Sequence, residues 1–395
     1  MFGIVFLIIY VIIQTLISIL TEYVIVKNPY YAKIGRKTRT IRITVYFILA
    51  VIPVLGAFLP KSSIKYYSMM TGNIWLGFFM YYSGFVILAT IITHIICKIR
   101  KDEEQIALRH AFHVSFVLAA IVTAFGLFHA QRPRIVNYDI SIDKETSSVK
   151  NLKIVLIADL HLSVNSDIKA TKRMVEEVNS VNPDVIFIAG DIFTSNYEGL
   201  RHPEEYSAEL AKMKSKYGVY AVCGNHDVDE NLFGGFPISP VSKAFRTKDM
   251  EEFFAASGFK VLYDESVELA GGEIVLSGRI DGEKAGDGTA NRKNAHDLLA
   301  DVDKSKPVLV MQHEPIQFKD LAENGADAVF CGHTHNGQMF PGNLVVPFFN
   351  ENAYGVKKLY GMDTIVTAGV GYYGPPMRIG TDSEVTVVNV SFNTP

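Results

Sequence analysis

"VFCGHTHNGQMF" occupies residues 329–340, an apolar run that stops abruptly at His333 and His335 with only Thr334 between them. Four further Val- and Ile-rich runs end in the same manner: "KIVLIADLH" (153–161), "VIFIAGD" (185–191), "GVYAVCGNHD" (218–227) and "KPVLVMQHEP" (306–315). Continuous apolar runs of this length read as strands buried on both faces. Segments 168–181 and 295–303 between them are helix-like, and strands alternating with helices predict a layered α/β domain. In such folds ligands gather where strands end, because the loops that follow vary without disturbing the sheet. One histidine at a strand end is ordinary packing. Five ends that each supply Asp, His or Asn predict a common site.

Those ends provide Asp159, His161, Asp191, Asn225, His226, Asp227, His313, His333 and His335. Carboxylate, imidazole and amide donors without thiolate suit Mn, Fe or Zn. The set exceeds the needs of one tetrahedral ion and is enough for two. Two ions about 3.5–4 Å apart clamp the attacking and leaving oxygens of a displacement at phosphorus. A water shared by them loses its proton and becomes the nucleophile.

Taken in order, Asp-x-His, Gly-Asp, Gly-Asn-His-Asp, a lone His and Gly-His-x-His resemble the motifs of the calcineurin-like metallophosphoesterase superfamily. They stand here as "ADLH", "GD" at 190–191, "GNHD" at 224–227, "QH" at 312–313 and "GHTH" at 332–335. The tail "YYGPPMRIGTDSEVTVVNV" (372–390) resembles the closing strands of the family's bacterial membrane-associated branch. The resemblance implies a four-layer α/β/β/α sandwich with two divalent metal ions at one edge, Mn being favoured over Fe or Zn. It implies that Asp159, His161 and His335 hold the first ion and Asn225, His313 and His333 the second, with Asp191 bridging. His226 would act on the phosphoryl or leaving oxygen, oriented by Asp227, for which a turn cap is the competing reading. Asn336 departs from the Gly common after Gly-His-Thr-His in relatives, and Asn tolerates a left-handed backbone better than most residues. Ala158 stands where Ser is common. Neither change removes a ligand.

The first 130 residues have another character. The stretches 2–20, 43–60, 74–97 and 111–130 contain no Asp, Glu, Lys or Arg, and each is near the ~20 residues that cross a bilayer core. Four transmembrane helices followed by a connector at 131–150, with one edge strand, and a catalytic domain at 151–395 are expected. Residues 1–130 carry a net charge of +8 and the remainder −11, together the chain's −3. An acidic soluble part disfavours general nucleic-acid binding, which neutralises phosphates with Lys and Arg. Segment 27–42 holds six basic residues and no acid, and 98–110 holds four basic residues. The positive-inside rule puts both in the cytoplasm and everything after residue 130 outside.

The expected function is a membrane-anchored dimetal phosphoesterase acting on a phosphoester or pyrophosphate, of a lipid-linked or envelope substrate in particular. A non-catalytic metal-binding sensor or scaffold is the alternative of another class. A cytoplasm-facing UDP-diacylglucosamine pyrophosphatase, an activity of some relatives, conflicts with the topology just drawn. Three cysteines (Cys97, Cys223, Cys331) make no disulfide framework and read as free buried thiols. Asp281 follows a strand, where a turn role is favoured over a place in the site. The loop 230–240 reads as packing, with a lid or a lipid-facing lip as alternatives. The oligomeric state stays open.

Overall fold

The computed structural model describes residues 9, 12–17, 19–20, 36–59, 62–100, 104–195, 197–230, 232–233, 236–237 and 239–393. Most of the span expected at 2–20, and the basic segment 27–35, lie outside the described residues. The chain divides into two compact units. One comprises 1–128, 232–238 and 374–377, and the other 129–231, 239–373 and 378–395.

The first unit contains α1 (Arg36–Phe58), α2 (Ser63–Arg100) and most of α3 (Glu104–His129). Over Ser63–Arg100 and Ile106–His129 the helices are long and apolar enough to cross a bilayer, with mean hydropathy of 1.8 and 2.1. Of the expected span at 43–60, the helix runs as far as Phe58, and its described residues include an apolar stretch at Ile43–Ile52. Among the described residues two helices are long and apolar enough to cross, where four were expected. Gly77 of α2 is required by packing, since a Cβ there would lie 2.8 Å from Met377 Sδ and 3.0 Å from Pro375 Cβ.

In the second unit, β1 (Arg134–Ile142), β2 (Asn151–Ile157), β3 (Val185–Ala189) and β4 (Val219–Val222) come first. The short hairpin β5 (Leu232–Phe233) and β6 (Phe236–Pro237) belongs to the helical unit. Then follow β7 (Lys260–Val261), β8 (Glu265–Leu269), β9 (Ile274–Gly278), β10 (Val308–Met311), β11 (Ala328–Cys331), β12 (Gly355–Leu359), β13 (Met362–Val366) and β14 (Glu384–Phe392). They form two six-stranded sheets, ordered β1-β14-β2-β3-β4-β7 and β12-β13-β11-β10-β9-β8. The strand expected in the connector is β1, at a sheet edge, and the tail closes that sheet by pairing β14 antiparallel to β2.

Period-two alternation sorts the apolar side chains into layers. Val155, Ile157, Ile186 and Ile188 face one core, together with Met174, Val175 and Val178 of α4 (Ile168–Ser180), Leu210 of α5 (Pro203–Leu210) and Phe253 of α6 (Lys248–Ala256). Their neighbours Ile154, Leu156 and Phe187 face a second core against Leu276, Leu309, Met311 and Phe330 of the other sheet. Val308, Val310 and Val329 point outward to Leu298 of α7 (Ala295–Leu298) and Phe318 of α8 (Phe318–Glu323). Helices, two sheets and helices thus stack as the expected α/β/β/α layers. The start of α4 is set by Asp167, whose carboxylate accepts from Lys169 N.

The five strands expected to carry the site are β2, β3, β4, β10 and β11. The first three run parallel in one sheet, as do the last two in the other. Ala189 pairs with Val222, and Met311 with Phe330, so the strands end level and their loops emerge side by side.

Candidate metal centre

Asp159 and His161 follow β2, Asp191 follows β3, Asn225, His226 and Asp227 follow β4, His313 follows β10, and His333 and His335 follow β11. The loops are stitched by their backbones: Asp159 N donates to Gly190 O (2.9 Å), His161 N to Asp191 O (3.0 Å) and Gly332 N to His313 O (3.0 Å). Five of the seven expected ligands take positive φ: Asp159 (55°), His161 (47°), Asp191 (53°), His333 (75°) and His335 (50°). Such conformations cost of order 1–3 kcal/mol each and persist where surrounding structure over-determines them. Each turns a side chain inward at the moment the strand ends. Asn336 also sits left-handed, at φ 49°, as its residue type allows.

The inward side chains meet. Asp191 Oδ2 lies 3.0 Å from His313 Nε2 and 3.5 Å from His161 Nε2. His161 Nε2 and His335 Nε2 are 3.0 Å apart, and His335 Nε2 is 3.5 Å from Asp159 Oδ1. His333 Nδ1 lies 3.3 Å from His313 Nε2. Ligand atoms of Asp159, His161 and His335 fall within 4.8 Å of one another, as do those of Asp159, Asp191 and His313. Space is kept by glycine: a Cβ on Gly224 would strike Asp191 Oδ1, and one on Gly332 would lie 2.7 Å from Asp159 Oδ2.

Donor chemistry shows that cations fit here. His313 Nδ1 lies 2.7 Å from Ala189 O. A carbonyl only accepts, so Nδ1 donates there and Nε2 is the nitrogen turned to Asp191. Two carboxylates and paired imidazole nitrogens converging in a buried space suit a positive charge between them. Among the described residues Asn225 Oδ1 is buried with no hydrogen-bond partner, although its Nδ2 donates to Glu283 Oε2 at 3.2 Å. An amide oxygen left so is suited to a cation.

Electrostatics divide the rings: burial acts downward on His313, but Asp191 beside it outweighs burial and holds it well above its ordinary range. Burial pushes His161 and His333 down to about 4, and His226 down to about 3, so these rings stay neutral with lone pairs to offer. Burial also drives Asp159 up to about 7, against the pull of His313. For Asp191 burial acts upward too, but His313, His226 and His161 outweigh it and hold the carboxyl well below its usual range.

His226 and Asp227 part company. Asp227 spends its carboxylate on the backbone, accepting from Phe193 N (2.9 Å) and Gly224 N (2.8 Å), which is the turn-cap reading. The partner of His226 Nδ1 is Ser195 Oγ at 2.7 Å, so the orienting contact expected from Asp227 comes from Ser195. Local geometry explains this: a carboxylate satisfying two amides one residue from the imidazole is not turned toward the ring.

Several site residues escaped the sequence reading. Tyr373 sets its ring 4.6 Å from that of His226 and 5.3 Å from that of His161. Thr194 Oγ1 lies 3.1 Å from His161 Nδ1. Arg378, fully buried, donates to the carbonyls of His335 (3.1 Å), Ala368 (2.6 Å), Gly369 (3.1 Å) and Gly371 (2.7 Å). None follows a strand with ligand spacing; the tail "YYGPPMR" was the one available signal. Asp281 keeps its turn role, accepting from Glu283 N and Lys284 N, while burial pushes it up to about 6. All three cysteines are free and buried.

Comparison with known proteins gives the same picture. The family model for calcineurin-like phosphoesterases matches residues 152–337. A zebrafish (Danio rerio) transmembrane protein with a metallophosphoesterase domain is 29% identical over 310 residues, 74% of this chain and 66% of that protein. This chain thus spans about two thirds of the zebrafish protein's length. An uncharacterized metallophosphoesterase of Helicobacter pylori is 31% identical over 294 residues, covering 72% of this chain and 71% of its own length. A UDP-2,3-diacylglucosamine pyrophosphatase of Chlamydia trachomatis is 23% identical over 240 residues, 52% of this chain and 70% of that protein. The ordered motifs, the converging donors and these likenesses lead to one conclusion: the chain belongs to the calcineurin-like metallophosphoesterases, a family of metal-dependent phosphoester hydrolases.

Proposed function

We propose that this protein is a membrane-anchored, dimetal phosphoesterase that cleaves a phosphoester or pyrophosphate bond of a lipid-linked or envelope substrate. The observation that carries the reading is the position of Asp191 Oδ2, 3.0 Å from His313 Nε2 and 3.5 Å from His161 Nε2. It reaches one imidazole from each expected ligand set, as a bridge between two ions must.

In this reading Asp159, His161 and His335 hold one divalent ion, Asn225, His313 and His333 the other, and Asp191 both, with Mn preferred to Fe or Zn. When bound, the pair supplies Lewis acidity and an activated water. The protein's own groups do the rest. His226, neutral because burial holds it down to about 3, presents a ring nitrogen to the phosphoryl or leaving oxygen. Tyr373 packs beside it and limits its rotation. Asp227 holds the turn that carries both Asn225 and His226, so its contribution to catalysis is positional.

The helices Ser63–Arg100 and Ile106–His129, and relatives named as transmembrane proteins, support membrane anchoring, with four spans as the full complement. Lys98 and Arg100 in the last turn of α2 argue for a cytoplasmic 98–110 and a catalytic unit on the outer side. The Chlamydia relative favours a second reading, cleavage of a pyrophosphate in a nucleotide-linked lipid.

The test is hydrolysis by the full chain, in detergent with added Mn²⁺, of bis-p-nitrophenyl phosphate against p-nitrophenyl phosphate. Metal-dependent turnover lost in Asp191→Ala is expected. Two bound metals without turnover of either ester would favour the sensor role, and no bound metal would sink the ligand assignment.

A further inference from the structure

Directly beyond the Gly-His-Thr-His loop, the chain presents an apolar surface that the catalytic reading does not use. A short helix α9 (Gly342–Val345) and a 3-10 turn at Val346–Phe348 hold out Leu344 (57% exposed), Val345 (47%), Phe348 (85%) and Phe349 (80%). Scattered exposed apolar residues are normal, but a contiguous group marks an interaction surface. The conformation is held from below: Phe349 N donates to Val346 O at 3.1 Å, Gly342 N to Met339 O at 2.7 Å, and Asn350 Nδ2 to Val346 O at 3.1 Å.

The hydrogen bonds beneath this protrusion say where it lies within the catalytic unit. Phe340 N donates to Ile379 O (2.7 Å), Ile379 N to Gln338 O (3.2 Å) and Thr381 Oγ1 to Gln338 O (2.6 Å). Three residues along, Asp382 takes His129 Nε2 at 2.8 Å and Arg134 Nη1 at 2.7 Å, and Ser383 Oγ donates to Ala130 O at 2.9 Å. Residues 129–134 are where the chain arrives from the last apolar helix. A single strip, 379–383, therefore ties the base of the apolar protrusion to the residues through which this unit is tethered.

We propose that Leu344, Val345, Phe348 and Phe349 dock on the surface of the bilayer that anchors the chain, with the two phenylalanines inserted below the headgroups. The inference rests on the membrane-anchored reading above. Apolar and aromatic side chains at the headgroup boundary gain by burial without spanning, and a tether beside them removes most of the cost of bringing surface and bilayer together. Docking here also bears on catalysis. Gln338 at the base accepts from Tyr373 N at 2.7 Å and donates to Tyr373 O at 2.9 Å, and the Tyr373 ring packs on His226. A docked protrusion holds the wall of the metal centre at the lipid surface, where an amphipathic phosphoester presents its headgroup.

Trp75, in α2, is the chain's single tryptophan, which makes a two-part test possible in vesicles of ordinary or acyl-brominated phosphatidylcholine. Native chain reports anchoring through Trp75. A Phe348→Trp, Trp75→Phe chain reports docking. Loss of emission in brominated vesicles for both chains is the expected result. Quenching of the native chain alone overturns docking and leaves anchoring intact, whereas quenching of neither overturns both. Shielding of the variant that rises with protein density but ignores bromine overturns the bilayer in favour of a second copy of the chain. As a second measurement, Phe348→Asp with Phe349→Asp should lose turnover of a vesicle-borne phosphoester while keeping turnover of a soluble one. Equal turnover of both substrates would refute the proposal.

Discussion

Ser195 Oγ and His226 Nδ1 stand 2.7 Å apart in a buried setting, and that nitrogen is the hydroxyl's one hydrogen-bond partner among the described residues. With the hydroxyl donating, Nδ1 keeps its lone pair and the ring proton sits on Nε2. His313 is backed differently, since Ala189 O accepts from its Nδ1 and leaves Nε2 turned to Asp191. The two histidines thus differ in what backs them, a hydroxyl at His226 and a carbonyl at His313.

Removing the hydroxyl with Ser195→Ala should cost about 1.4 kcal/mol, or roughly tenfold in kcat, with KM little changed. The loss should be larger for an alkyl leaving group than for p-nitrophenolate, which needs no proton. Metal content by elemental analysis should stay at the native level. An equal loss on both leaving groups would show that Ser195 serves only packing.

Chelation should destabilise the fold. Converging carboxylates and imidazoles lose the cations that reconcile them, and an ion present at a thousand times its Kd contributes about 4 kcal/mol. In detergent, a fall in Tm on the order of 10 °C with chelator is expected, reversed by Mn²⁺. Asp191→Ala should show a low Tm that neither treatment moves. A native Tm indifferent to chelator would mean that the site holds no metal.

Arg378→Lys tests the support beneath His335. Lysine carries three donors on one atom and cannot reproduce a planar fork reaching four separate carbonyls. Unsatisfied buried carbonyls cost about 1–3 kcal/mol each, so a loss of about 3 kcal/mol or more by chemical denaturation is expected, with weakened metal binding. Burial pushes the guanidinium down to about 10, which leaves it charged at neutral pH. Native stability in the lysine variant would contradict this account.

Lys284 Nζ lies 2.6 Å from Glu230 Oε2, with both side chains nearly or wholly out of solvent. Lys284→Met should strand the glutamate and destabilise the protein by about 3–5 kcal/mol, and adding Glu230→Leu should recover much of that loss. Additive losses in the double variant would show that the two residues act separately.

The amino-acid sequence by itself determined the layered class, the five strands and the Asp, His and Asn residues at their ends. Those features are local: an apolar run of four or five residues forms a strand, and Asp, His or Asn at its end is visible without knowing what faces it. It also marked apolar spans at 74–97 and 111–130, which the helices Ser63–Arg100 and Ile106–His129 carry, because crossing a bilayer is a matter of length and hydropathy. Ser195 behind His226, Arg378 beneath His335 and Tyr373 beside His226 and His161 were decided only by tertiary structure. Their partners are 31, 43 and 147 residues away along the chain, and no spacing rule encodes a contact made by two sheets folding together. Asp227 was legible as a residue and not as a role, because two backbone amides, brought to it by the turn and by the loop after β3, claim its carboxylate.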